Sequence, residues 1–175
     1  MSSPTISQRI ARWRVPLGFV FGALALWLAS PSWRSLLVGG LVAVVGESIR
    51  VWAAGHLEKS REVTRSGPYA HVRHPLYLGT SIIGLGVALA SASLMVAIIV
   101  LVYLGTTIPA AMMAEEAHLR DKFGDTYDSY LQRVAPPIAR QFSLARAMGN
   151  REHHTIAGLI AALALLAIKV QLSLS

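Results

Sequence analysis

Two short stretches of this 175-residue chain concentrate the side chains that could do chemistry. The first reads Ser66-Gly67-Pro68-Tyr69-Ala70-His71-Val72-Arg73-His74-Pro75-Leu76-Tyr77-Leu78-Gly79. Gly67-Pro68 enforces a turn. Pro75 biases His74 away from helix and suits the first turn of the helix that follows. Arg73 and His74 are therefore held at a helix entrance, with Tyr77 and Leu78 one turn deeper. The second stretch starts Glu115-Glu116-Ala117-His118-Leu119-Arg120 and runs through Phe123-Gly124 to Tyr127, Tyr130, Arg133 and Val134. Two adjacent acids close a long uncharged run, where a cationic ligand could use them. Bland readings exist for both: an interfacial Arg, His and Tyr anchor for the first, a headgroup-bound amphipathic helix for the second.

Other polar groups carry less. Glu47 and Arg50 lie three apart on an apolar segment, which reads first as a structural intramembrane pair and second as an arm into a shared inner cavity. His56 and the His153-His154 pair have no ligand spacing with acids. No cysteine is present, so neither a disulfide framework nor a thiolate metal site is available, and no metal is expected.

The elements that must position these groups are membrane helices. Only 14% of residues are charged, against roughly 25% in soluble domains, and 54% are hydrophobic. From Pro75 to Ala114, 40 positions pass without Asp, Glu, Lys, Arg or His. One helix of that length would measure ~60 Å, about twice the hydrocarbon thickness, so the run folds in two at Ser91-Ala92-Ser93. Together with apolar stretches before and after, this predicts an all-α membrane bundle of about five spans, near 15–33, 36–55, 75–91, 93–114 and 155–173. Segments 56–75 and 115–154 carry the motifs, and residues 1–175 read as one domain.

The charges test that layout. Arg9, Arg12 and Arg14 precede the first span. Lys59, Arg61, Arg65 and Arg73 follow the second, and Arg120, Lys122, Arg133, Arg140, Arg146 and Arg151 follow the fourth. Five spans place all of them on one side, leaving only Arg34 opposite, so the N-terminus and both motifs are expected to be cytoplasmic. Lys169 in the last span would snorkel outward. The start also resembles a signal peptide ending near Leu28-Ala29-Ser30, and cleavage there would not alter the orientation of later helices. The net charge of +7 punctuates apolar runs and forms no continuous stripe, which speaks against nucleic acid as a partner. Gly18 and Gly22 form a weak GxxxG signal for dimerisation.

Taken together, Gly-Pro-Tyr-x-x-x-Arg-His-Pro-x-Tyr-x-Gly and Glu-Glu-x-x-Leu-x-x-x-Phe-Gly-x-x-Tyr-x-x-Tyr, separated by a helical hairpin, resemble the isoprenylcysteine carboxyl methyltransferases and the related phospholipid N-methyltransferases. The likeness covers roughly Gly46 to Pro137 and includes Arg50-Val51-Trp52-Ala53. It implies an S-adenosyl-L-methionine-dependent membrane methyltransferase, releasing S-adenosyl-L-homocysteine, with a lipophilic or lipid acceptor entering from the bilayer. It also implies cofactor contacts at His71, Val72, Arg73, His74, Pro75, Tyr77, Leu78, Glu115 and Glu116, with Tyr127, Tyr130 and Arg133 as secondary candidates. Catalytic roles fall on Arg73, which would hold the cofactor with His74, and on Glu116, which would neutralise its charge or orient the acceptor.

One departure bears on the acceptor. Members acting on a prenylcysteine carboxylate carry an Arg about one turn before the paired acids, whereas Pro109-Ala110-Ala111-Met112-Met113-Ala114 has no basic residue. Amine, thiol or other lipophilic nucleophiles therefore stay open, and the small size points to a prokaryotic inner membrane. Two other classes compete. An NADPH-dependent membrane lipid reductase would need a phosphate-binding constellation, and a scaffold or transporter would need midplane polar groups or inverted repeats.

Overall fold

The computed structural model describes residues 6–59, 61–136 and 138–174. Among them are seven α-helices, one short 3-10 turn and no strand: α1 Ile6–Leu28, α2 Trp33–His56, the turn Gly67–Ala70, α3 Pro75–Ser91, α4 Leu94–Phe123, α5 Asp125–Leu131, α6 Leu144–Gly149 and α7 Glu152–Leu174. The protein is an all-α membrane bundle. Helices α2, α4 and α7 are long and apolar enough to cross a bilayer, while α3 and the Gly18–Leu28 part of α1 are shorter apolar helices. Large side chains such as Trp27, Leu94 and Leu101 point outward, an arrangement suited to lipid.

Small residues let α2 and α3 pack backbone to backbone, as helices do in lipid. A Cβ on Gly46 would sit 2.7 Å from the Gly79 carbonyl oxygen, and one on Gly86 would sit 2.6 Å from that of Gly39. The long apolar run divides at Ala92, which takes the left-handed conformation at φ 47°, and Ser93 caps α4 by accepting from the Val96 N–H. At the same end, Lys169 donates to the carbonyls of Leu26 and Trp27 at 2.8 and 2.6 Å. The cation therefore does more than snorkel: it satisfies the last turn of α1, where the helix dipole favours positive charge.

Two helices outrun the expected spans. Helix α1 begins at Ile6, and α4 continues through the paired acids to Phe123. At 30 residues, α4 is ~45 Å long and projects beyond a ~30 Å hydrocarbon core. The stripe expected to form one amphipathic helix is thus split between α4 and α5. Gly124 causes the break, with φ 46° and ψ −125°, a backbone that residues with a Cβ rarely adopt. Gly18 packs toward Tyr103 of α4, and nothing lies within 4 Å of a Cβ on Gly22, so half of the GxxxG pattern is occupied inside the chain.

Candidate active site

Helix α3 opens where the sequence places Pro75. His74 is its N-cap residue, with φ −128° and ψ 63°, and Pro75 fills the first position and is buried. Before it, Gly67 adopts φ 55° and presses on His56, whose ring would lie 2.6 Å from an added Cβ. The turn is therefore pinned to the C-terminal end of α2, and His56 Nδ1 lies 3.2 Å from Ser66 Oγ.

Three contacts bring the two motifs together. His74 Nε2 lies 2.8 Å from Glu116 Oε1 of α4. The Tyr130 hydroxyl donates to the Tyr69 carbonyl at 2.9 Å, and Arg73 Nη2 donates to the Leu131 carbonyl at 3.1 Å. Ring contacts between His74 and Tyr77 (5.8 Å) and between Tyr127 and Tyr130 (6.1 Å) flank this clasp. Burial, more than the nearby carboxylates, pushes the Tyr127 phenol up to about 12, and burial also raises Tyr69 and Tyr130. All three remain neutral at working pH. They can donate hydrogen bonds or present ring faces but cannot serve as bases.

Behind the clasp lies a cavity of about 1220 Å³. That exceeds the ≈ 300–1,000 Å³ of an ordinary small-molecule pocket and leaves room for two ligands. Of the residues singled out in the sequence, Arg73, His74, Pro75, Tyr77, Glu115, Tyr127 and Tyr130 line it. Glu116 lies outside the wall and reaches it through His74, and His71, Val72, Leu78 and Arg133 are exposed beyond it. Adjacent helical residues point about 100° apart, and here Glu115 lines the hollow while Glu116 turns to His74.

Sequence reasoning offered Arg50 as a second-choice arm into this cavity but missed its partner, Glu152. Arg50 meets Glu152 of α7 through Nε and Nη2 at 2.7 and 3.2 Å. It also reaches Thr80, Leu76 and Thr155, tying α2, α3 and α7. Its expected partner Glu47 is 4.0 Å away and faces a second, apolar pocket. Arg50, Glu152 and Thr155 all line the main cavity. The available signal was bookkeeping: an intramembrane Arg demands a well-placed acid, and Glu152 sits at the mouth of the last apolar run. Further ion pairs, Arg140–Glu62 at 2.7 Å and Arg146–Glu58 at 2.8 Å, strap the segment before α6 onto the α2–α3 connection. The hydrogen bond to Glu62 raises the Arg140 pKa.

A model of the phospholipid methyltransferase family matches residues 47–126, a span that runs from the Arg50 knot through both paired acids. Over 151 residues the chain is 31% identical to the nickel-cobalt-cadmium resistance protein NccN of Alcaligenes xylosoxydans xylosoxydans, covering 79% of this chain and 68% of that protein. The chain belongs to the phospholipid methyltransferase and isoprenylcysteine methyltransferase-like family. The cobalt-zinc-cadmium resistance protein CzcN of Cupriavidus metallidurans is 30% identical over 79% of this chain and 67% of its own length. Protein-S-isoprenylcysteine O-methyltransferase of Schizosaccharomyces pombe is 30% identical over 53% of this chain but only 39% of its own. No solved structure matches. Family membership and the prenylcysteine relative support a membrane methyltransferase. Among the described residues no group of three or more His, Asp or Glu is placed to hold a metal ion.

Proposed function

We propose that the protein transfers a methyl group from S-adenosyl-L-methionine to a lipophilic acceptor that enters from the bilayer, at the cytoplasmic face of a prokaryotic inner membrane. The observation that carries this reading is the closure of the two motifs, through His74 and Glu116, around a cavity with one charged, aromatic end and one apolar end. When bound, S-adenosyl-L-methionine supplies a methyl group already activated on a cationic sulfur, so the site must align and shield more than it must protonate.

The donor set fits such a ligand. Arg73 can bind its carboxylate. Glu115 and the faces of Tyr77 and Tyr127 can take its positive groups. Glu116 acts as a positioning residue that fixes the His74 ring. Apolar walls exclude water from the reacting centre, which strengthens each of these contacts. The basic residues, which gather at the motif-bearing ends of the helices, support the cytoplasmic placement of the site.

Calorimetry of the detergent-solubilised protein tests this directly. S-adenosyl-L-homocysteine is expected to bind, and His74→Ala is expected to abolish binding. Uptake of NADPH with no affinity for S-adenosyl-L-homocysteine would replace this reading with a lipid reductase.

A further inference from the structure

The main cavity continues past the clasp into the bilayer. Its far end is lined by Gly18 and Phe19 of α1 and by Tyr103, Leu104, Thr107 and Ile108 of α4. Twelve residues separate Tyr103 from Glu115, so this arm runs ~18 Å along α4, more than half of a ~30 Å core. None of the six is charged, and the Thr107 hydroxyl turns back to donate to the Tyr103 carbonyl at 2.6 Å. Phe19, at the rim, is 78% exposed, so the arm opens where lipid lies.

The neck between arm and clasp decides what kind of head can react. Ala111 and Ala114 of α4 and Leu76 and Thr80 of α3 contribute to the lining between them. Among the described residues the cation beside the neck is Arg50, and all five of its N–H groups are committed: Nε to Glu152, Nη1 to Thr80 and Leu76, Nη2 to Glu152 and Thr155. Arg73 lies farther out and is bonded to Leu131, and His74 is engaged by Glu116. The acids Glu115 and Glu152 remain in the wall. His118, a turn past Ala114, and Lys59, after the end of α2, line the cavity beyond the neck, so among the described residues a carboxylate or phosphate in the neck would meet Glu115 and Glu152 with no uncommitted cation beside it.

The arm is also narrow. Helix α1 crosses α4 at Gly18, where a Cβ would lie 2.9 Å from the Tyr103 hydroxyl, and the Phe21 ring meets the same ring at a tilt of 51° with centroids 5.5 Å apart. On the methyltransferase reading above, we infer that the acceptor has a single apolar tail and a nucleophilic head without negative charge, an amine, thiol or hydroxyl, and that Gly18 sets the tail length accepted. The head's lone pair forms the new bond to the methyl carbon. The methyl–sulfur bond breaks with its electron pair left on sulfur, and the head's proton passes to Glu115 or water.

The test uses the full chain in detergent, with tritiated donor and matched probes: dodecylamine, dodecanethiol, dodecanol, dodecanoic acid and phosphatidylethanolamine. At least one of the first three should be methylated at least about a hundredfold faster than the last two. Gly18→Leu should end transfer to the dodecyl acceptor while sparing its butyl counterpart and leaving S-adenosyl-L-homocysteine affinity unchanged. Gly18→Ala, whose methyl meets only the tip of the Tyr103 ring, should give an intermediate cut-off and serves if the leucine variant fails to fold. Equal or faster transfer to dodecanoic acid or phosphatidylethanolamine overturns the inference. So does S-adenosyl-L-homocysteine binding with no transfer to any of the first three probes, or a tail-length profile that ignores Gly18. Absence of both binding and transfer overturns the methyltransferase reading instead.

Discussion

Two of the polar bridges between helices, the Arg50 knot and the His74–Glu116 clasp, differ in what they leave unsatisfied. The Arg50 knot ties α2, α3 and α7, with the Glu152 side chain only 4% exposed and every guanidinium N–H engaged. The His74–Glu116 clasp ties α3 to α4 at the cavity mouth, with Glu116 31% exposed and one ring nitrogen of His74 beyond the bridge. A saturated buried pair has no capacity for a ligand and contributes architecture. A bridge with spare donors, acceptors and ring faces beside a hollow can exchange partners when a ligand arrives. The lesson is that a charge in a membrane helix must be audited for its remaining valences before it is assigned to chemistry.

The largest expected effect comes from breaking the knot. Glu152→Ala leaves the Arg50 charge buried without its partner, which costs about 3–5 kcal/mol. Thermal unfolding in detergent should show a large drop or no folded protein at all, with or without cofactor present. If this variant unfolded like the parent, the distinction between the two bridges would be lost.

Next is the clasp. Glu116→Gln keeps the shape but weakens the hold on His74, and misplacement of about 1 Å at a reacting centre can cost about a hundredfold in rate. We expect methyl transfer to fall by that order, with KM for the donor raised and melting temperature nearly unchanged. Glu116→Asp should recover part of the activity, and the pH dependence of kcat/KM should shift in the Gln variant. A melting temperature that drops as far as in Glu152→Ala would make the clasp a second knot.

Much of this comparison was legible beforehand, and the gaps have physical causes. Spans follow from hydropathy because lipid forces helices, and the entrance of α3 follows from Pro75. Both motifs could be read from residue types and spacing, and their pairing from the family resemblance. The partner of Arg50 could not, because Glu152 is 102 positions away and only packing brings α7 against α2. Nor could the sequence say which of Glu115 and Glu116 faces the hollow, since that depends on the rotation of α4 about its axis. Gly124 was visible as a residue, but the choice between a continuing helix and a break rests on its positive φ.

Alkaline pH separates the two bridges by a smaller effect. The Tyr127 phenol, beside the clasp, is raised to about 12 against an ordinary value near 10, chiefly by burial. A raised folded-state pKa leaves this group's contribution intact below about pH 10, and the contribution is lost as pH rises through about 12. Tyr127 should therefore contribute roughly 2 kcal/mol to a decline over that window, beside the shares of Tyr69 and Tyr130, followed by circular dichroism, and Tyr127→Phe should decline less. A matching decline in Tyr127→Phe would place the alkaline sensitivity elsewhere.

The finest probe is Tyr130→Phe, which removes one hydroxyl and keeps the ring against Tyr127. The Tyr69 carbonyl loses the bond that ties α5 to the turn, at a net cost of about 1 kcal/mol. Because α5 follows the Gly124 break, that loss should fall on how tightly α5 covers the cavity mouth and leave the bundle as a whole unaffected. The expected result is roughly fivefold weaker S-adenosyl-L-homocysteine binding by calorimetry, with the acceptor tail-length profile and melting temperature nearly unchanged. Unaltered affinity would mean that α5 is held by Arg73 and Leu131 without help from Tyr130, which Arg73→Ala in the same background would then expose as a much larger loss.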